Sequence, residues 1–400
     1  MRPWWIVELK VLTFTTLYPN ESQPRHGIFI GERVRHLNDL EGLSFRVVAP
    51  VPWFPFRIKK LSKYSVYSTV PQQEVRSEIR VFHPRYPVLP KIGMSLSPIL
   101  LAAFTYRYLK SIQRDGYDFD IIDSHYFYPD GVAAVILGKL LNKPVMVTAR
   151  GSDITLIPNY YIPRKLIQWA ANNARQIAAV SQSLKDSLMG LGVDGSRIDV
   201  FRNGVDLVKF RPLDRDTIRH EMGLTRFTLL SVGNLIELKG HHLIIEALRH
   251  LPDTMLIIVG EGVMRSKLKK TASDCDVNDR VRFLNNVSQP ELCKIYNAAD
   301  VLVLASSREG MANVLLEALA CGTPVVATDV GGNSEVIKSN NAGLIISDRN
   351  TNAIVSGVNQ VKNQYPARQI VREYAETLSW EETSNLIKNR INSMYTNINT

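Results

Sequence analysis

The feature that most constrains the fold is a rhythm that runs through the chain twice. Short apolar runs alternate with longer amphipathic segments. In the first half "KVLTFTTL" is followed by "GIFIGERVRHLNDL" and "SFRVVAPV", and "DFDIIDSHY" by "GVAAVILGKLL" and "PVMVTARG". The second half repeats the rhythm with "FTLLSVGN", "HHLIIEALRHL" and "DTMLIIVGEG", then "DVLVLAS", "NVLLEALACG" and "PVVATDV". Strands buried on both faces of a parallel sheet read as continuous Val/Ile/Leu runs, and the helices between them show the longer period. The pattern predicts the α/β class, with two doubly wound, Rossmann-like domains. Ligands of such sheets sit at the carboxyl ends of the strands. The cleft between two facing domains is therefore the expected site.

The halves meet at "RIDVFRNGVDLVKFRPLDRD", where Asn203-Gly204 is a turn signal and Pro212 ends the stretch. This predicts a first domain over residues 1–200 and a second over 201–377. A terminal helix over 378–400 is expected to pack back toward the first domain. Ser379 marks its start, with Glu382 three residues on as a capping box.

Charge narrows the partner. The chain of 400 residues has 48 basic and 38 acidic side chains, a net charge of +10. That favours an anionic partner without choosing between a nucleotide, a phospholipid surface and a nucleic acid. The three cysteines, Cys275, Cys293 and Cys321, show no zinc or disulfide spacing, which points to a reducing compartment. No apolar run reaches the roughly 18 residues of a membrane span. The opening "MRPWWIVELKVLTFTTLYPN" is broken by Glu8 and Lys10 and lacks a small-residue cleavage site. It reads as a first strand preceded by a short extension.

The stretch richest in chemistry is "SSREGMANVLLEALACGTPVVAT", from Ser306 to Thr328. A buried strand ends at Ser306, a turn follows, and a helix is expected from an Asn313 cap to a Gly322 stop. The amides around Asn313, Val314 and Leu315 would form an anion site at the helix N-terminus. Glu317, one turn in, leans back toward that end, and Glu309 stands on the turn. A phosphate with hydroxyl-binding carboxylates on either side suits a nucleotide sugar. Spacing alone leaves the plainer alternative open: a solvated loop glutamate and an exposed helix glutamate. A second phosphate-type feature lies in "LLSVGNLIELKGHHLIIEAL", where Gly233 permits close backbone approach and Lys239 opens the next element.

The combined string "NGVD", "VGNLIELKG", "VGEG" and "EGMANVLLEALACGTPVVATDVGGNSE" resembles family 4 of the retaining glycosyltransferases, which have the GT-B fold. The resemblance covers nearly the whole chain and is strongest from 200 to 340. It implies that Glu317 holds the ribose hydroxyls and that Glu309 contacts the transferred sugar and its oxocarbenium-like transition state. It implies that Lys239 and the amides from Met311 through Ala312 to Leu315 bind the diphosphate. Glu261 of "VGEG" and Val287 of "FLNNVS" fall in the donor-binding set, the latter where the backbone reads the base. Gly27 would let the first loop approach the diphosphate.

Two departures stand out. Asn234 occupies the place of a common arginine, so one diphosphate cation is missing or supplied elsewhere. Arg150 in "TARGSDI" takes the place of a common histidine and stays protonated. It is a candidate for the leaving phosphate or an anionic acceptor. Asp153 is a candidate for a sugar hydroxyl. His125 is the nearby titratable group, and a structural histidine is the equal alternative. "DFD" at Asp118–Asp120 precedes its strand and so is not read as a metal motif; neither a metal nor a cofactor is expected.

The resemblance implies a transferase of bacterial envelope polysaccharide assembly, using a UDP- or GDP-sugar and a glycan or lipid-linked hydroxyl acceptor, with no nucleic acid. A nucleotide-sugar epimerase and a non-catalytic nucleotide-sugar-binding protein are the alternatives. "VPWFPFRIKKLSKY" mixes Trp53, Phe54 and Phe56 with Arg57, Lys59, Lys60 and Lys63. Such a mixture suits an anionic membrane surface as well as a packed loop with solvated lysines. The expected location is cytoplasmic, peripheral on the inner face of the plasma membrane.

Overall fold

The computed structural model describes residues 8–53, 62–88 and 93–399. The aromatic and basic segment from Phe54 to Lys60 lies outside them, as does the extension at residues 1–7. The chain forms two compact units: residues 1–203 with 381–400, and residues 204–380.

The first unit holds an eight-stranded sheet. Its spatial order is Ile198–Val200, Gln176–Ala179, Val145–Ala149, Ile121–His125, Leu9–Phe14, Leu43–Val48, Ile79–Phe82 and Gln73–Arg76. All neighbours are parallel except the last pair. The chain leaves Leu9–Phe14 toward one edge and later returns to its other side at Ile121–His125. That reversal is a switch point, and the loops after these two strands open there.

The second unit repeats the plan with six parallel strands. Their order is Val281–Leu284, Thr254–Val259, Phe227–Val232, Val301–Leu304, Val325–Thr328 and Gly343–Ile346. Its switch point lies between Phe227–Val232 and Val301–Leu304, with Leu230 opposite Leu302. The period-two alternation shows in the packing. Leu230, Leu302 and Leu304 enter one core and Leu229, Val301 and Val303 the other. Fully burying such a side chain contributes about 1.5–3 kcal/mol, so both faces of the sheet need helices.

Local chemistry places those helices. Ser288 and Glu291 form a reciprocal capping box that starts the Gln289–Ala298 helix. The terminal Trp380–Asn399 helix begins directly after Ser379, and its Ile387, Ile391 and Met394 enter the first unit's core beside Val11 and Ile30.

Candidate functional site

In the second unit Lys239 and Glu309, two of the candidate side chains, stand on the two loops at the switch point. Lys239 ends a short turn after Phe227–Val232, and Glu309 lies on the loop after Val301–Leu304. The loops are tied together: the Ser307 amide donates to the Leu238 carbonyl at 2.8 Å. Arg349 donates to the carbonyls of Ala305 and Glu237 at 2.8 and 3.0 Å. Across this junction Lys239 Nζ lies 2.6 Å from Glu309 Oε1, and Ser306 Oγ donates to the same oxygen at 2.6 Å. Gly331, at φ 57°, fixes the glutamate's backbone. A Cβ there would come within 2.1 Å of the Glu309 carbonyl oxygen, so only glycine fits the approach.

The Asn313–Ala320 helix follows that loop. Its cap is Ala312, in extended conformation, and no side chain caps the helix. This corrects the expected Asn313 cap: Asn313 is the first helical residue. A second correction concerns the amides, because Leu315 N donates to the Ala312 carbonyl at 3.1 Å. The Leu315 side chain is in the core, as is Ala312, while Met311 and Val314 are half-buried against it. Glu317 accepts a hydrogen bond from the Tyr296 hydroxyl at 2.8 Å. Tyr296 is fully buried, and that burial, with the Glu317 carboxylate beside it, holds its phenol protonated. The phenol is thus a fixed donor that aims one carboxylate oxygen.

The remaining donor-set residues surround the same strand ends. Gly233 N donates to the Val259 carbonyl at 3.0 Å, and Asn234 is exposed. Glu261 is exposed and accepts from Asn286 at 3.1 Å. Val287 packs on the core.

The first unit builds a buried polar network at its own switch point. Asp123, His125, Arg33 and Arg150 are all buried. His125 Nε2 stands 3.2 Å from Asp123 Oδ2, and Arg150 Nη2 donates to His125 Nδ1 at 3.0 Å. The guanidinium on Nδ1 leaves the ring hydrogen on Nε2, toward Asp123. Burial lowers His125 to a pKa of about 3, so the ring is neutral. Arg150 Nη1 donates to Asn203 Oδ1 at 3.0 Å, and Arg33 pairs with Asp123 at 3.6 Å.

Asp153, read from sequence as a hydroxyl binder, is fully buried. Its carboxylate accepts the amides of Phe127 at 2.7 Å, Gly151 at 2.6 Å and Arg150 at 3.1 Å. It joins the loops after Ile121–His125 and Val145–Ala149. Asp130 does the same for the first loop, accepting from Thr16 N at 2.6 Å and from the Thr15 hydroxyl at 3.1 Å. Burial pushes its carboxyl up to about 7. Gly27 packs on the chain itself, since a Cβ there would lie 2.3 Å from the Leu17 carbonyl oxygen. Asp118 pairs with Lys143 at 2.9 Å, and Asp120 accepts the Lys10 amide at 2.9 Å.

Sequence reasoning missed Tyr296, Ser306, Arg349, Asp123, Arg33 and Asp130. For Asp123 the available signal was a charged residue inside the apolar run "DIIDSH".

The profile "Glycosyl transferases group 1" matches residues 214–378, and "Glycosyltransferase Family 4" matches residues 63–209. The chain is 29% identical over 365 residues to the glycosyltransferase TuaC of Bacillus subtilis (strain 168), whose name attaches it to teichuronic acid biosynthesis; 89% of this chain and 90% of TuaC are covered. It is 30% identical to the D-inositol 3-phosphate glycosyltransferase of Corynebacterium urealyticum, covering 72% of this chain and 74% of that one. Among solved structures, sucrose-phosphate synthase from Thermosynechococcus elongatus superposes with TM-score 0.78 at 17% identity, over 97% of this chain and 99% of that one. Anabaena HepE in complex with UDP gives TM-score 0.73 at 17% identity, over 97% and 100%. The protein is a glycosyltransferase with the GT-B fold. Within that class, the chain belongs to glycosyltransferase family 4.

Proposed function

We propose that the chain is a retaining transferase that moves a sugar from a UDP- or GDP-sugar to a hydroxyl on a lipid-linked or polysaccharide acceptor of the bacterial envelope, working on the cytoplasmic side. The observation that carries the donor reading is the Lys239–Glu309 pair at the second unit's switch point, with Glu317 on the next helix. Lys239 and the uncapped helix start supply positive charge for a diphosphate. Glu317, aimed by Tyr296, takes the ribose hydroxyls. Glu309 takes the transferred sugar and stabilises positive charge as the glycosidic bond breaks. The leaving diphosphate accepts the acceptor's proton on the same face, so no protein nucleophile is used. Transfer by this route needs neither a metal nor a cofactor. The buried network of His125, Arg150 and Asp153 shapes the first unit's loops, and none of the three is assigned to proton transfer.

Support for a UDP-sugar comes from HepE, whose structures hold UDP and UDP-glucose. Support for an envelope acceptor comes from TuaC.

The test is donor turnover with UDP-glucose, UDP-galactose and GDP-mannose, with and without alkyl glycosides as acceptors. Acceptor-dependent release of nucleoside diphosphate and an α-linked product are expected. Epimer formation without acceptor, or binding with no turnover, would reject the reading in favour of one of the two alternatives.

A further inference from the structure

Two of the three cysteines meet in the second unit. Cys293 Sγ and Cys321 Sγ lie 3.8 Å apart, within reach of a sulfur hydrogen bond. Cys293 stands on the Gln289–Ala298 helix, and Cys321 ends the Asn313–Ala320 helix as its C-cap. The two helices pack on each other. Both thiols belong to one core, Cys321 fully buried and Cys293 at 3% exposure. The third cysteine, Cys275, packs on the other core of the unit and is half-buried.

The two sulfurs differ in their surroundings. The Cys293 sulfur also meets the Asn297 side-chain amide and the Arg211 carbonyl, both at 3.7 Å. The Cys321 S–H beside it holds the Cys293 thiol below the ordinary cysteine range. Burial, with the Cys293 sulfur next to it, pushes Cys321 up. Cys293 is therefore the thiol that ionises first, and the thiolate is the reactive form.

The same helices carry Tyr296 and Glu317. Tyr296 follows Cys293 by one turn, and Glu317 precedes Cys321 by one turn. The Cys321 amide donates to the Glu317 carbonyl at 3.2 Å. The Tyr296–Glu317 bond at 2.8 Å and the thiol pair thus cross one helix interface.

We infer that Cys293 and Cys321 are a redox modification site, which a small peroxide converts to a disulfide across the interface that aims Glu317. The Cys293 thiolate attacks hydrogen peroxide, the O–O bond breaks, and the departing hydroxide takes up the proton that Cys293 had released. Cys293 is then a sulfenic acid. The Cys321 sulfur attacks it, the S–S bond forms as the S–O bond breaks, and the hydroxyl leaves as a second water with the Cys321 proton. Two thiols lose two electrons, and one peroxide becomes two waters. Closure to about 2.05 Å draws the helices together at the cysteine end. The phenol–carboxylate bond is already at ordinary hydrogen-bond length, so that movement stretches or bends it. The consequence for nucleotide binding rests on the donor reading above; the cross-link itself does not.

The experiment treats the reduced full chain with limiting hydrogen peroxide, alkylates the remaining thiols and maps the peptides by mass spectrometry without reduction. The expected product is a peptide pair joined through Cys293 and Cys321, with Cys275 unlinked. Calorimetry with UDP and GDP then compares the reduced, oxidised and re-reduced protein. Oxidation should weaken binding of the preferred nucleotide about 3–10-fold, and reduction should restore it. Cys293→Ala should lose the cross-link and the response to peroxide while binding as the reduced parent does. Cys275→Ser should keep both. No linkage between Cys293 and Cys321, linkage through Cys275 in its place, or unchanged affinity in the linked protein would overturn the inference. Linkage in a parent that binds neither nucleotide, reduced or oxidised, would uphold the cysteine site and reject the donor reading.

Discussion

Lys239 Nζ and Glu309 Oε1 lie 2.6 Å apart, each on a different loop of the second unit's switch point. Both side chains are mostly buried, so solvent and salt screen the pair only weakly. The pair joins the cation proposed for a diphosphate to the carboxylate proposed for the transferred sugar. On the proposed function, donor binding redistributes that pair. Glu309→Gln releases Lys239 and is expected to bind nucleoside diphosphate as tightly as the parent or more tightly. Its turnover is expected to fall by roughly 10²–10³. Lys239→Ala removes a charged hydrogen-bond donor and should weaken nucleoside diphosphate binding by about 10–100-fold. Calorimetry and single-turnover rates on the two variants check this; weaker diphosphate binding in Glu309→Gln would contradict it.

Tyr296→Phe deletes the hydroxyl that holds Glu317 at 2.8 Å. The expected result is a loss of about 3–10-fold in nucleotide affinity. A double-mutant cycle with Glu317→Gln reads the coupling directly. Independent effects would show that the phenol does not act through Glu317.

Gly331→Ala tests the backbone under Glu309. The added Cβ meets the Glu309 carbonyl oxygen at 2.1 Å, and φ 57° is itself unfavourable for alanine. A stability loss of about 1–3 kcal/mol is expected. Turnover should fall at least about tenfold while the residual folded protein keeps its circular dichroism. Parent-like turnover would mean that the loop's position does not matter.

His125 gives the first unit a pH dependence. Its ordinary value of 6.5 falls to about 3 on folding, chiefly by burial. The unfolded state therefore binds the proton first as pH drops. This contribution to stability is complete above about pH 6.5 and is lost progressively between there and pH 3. From pH 6.5 to 5 the loss approaches ~2 kcal/mol. Guanidinium melts at pH 7 and 5 should show a smaller acid loss in His125→Asn than in the parent.

Much of the architecture was legible because parallel strands buried on both faces must be apolar throughout, as in Val301–Leu304 and Val325–Thr328. The helix after Glu309 was legible in extent but not in its first residue. Asparagine suits a cap and a first turn alike, and only the extended backbone of Ala312 decides between them. Of the first unit's polar network only the nearness of His125 to Arg150, at the ends of neighbouring strands, was legible. Its members sit at 33, 123, 125, 150 and 203, and their proximity follows from strand order rather than from spacing. Asp153 was a candidate for a sugar hydroxyl because "TARGSDI" resembles a segment of the family. Three amides claim its carboxylate instead.

On the proposed function, Glu317 and Lys239 define a nucleoside diphosphate site. Thermal unfolding with UDP and GDP, for the parent and Glu317→Ala, tests it most directly. At about 100 times its dissociation constant a ligand adds ~2.7 kcal/mol. A clear rise in melting temperature is expected for one of the two nucleotides with the parent, and most of that rise is lost in Glu317→Ala. No shift with either nucleotide, or the same shift in the variant, would contradict it.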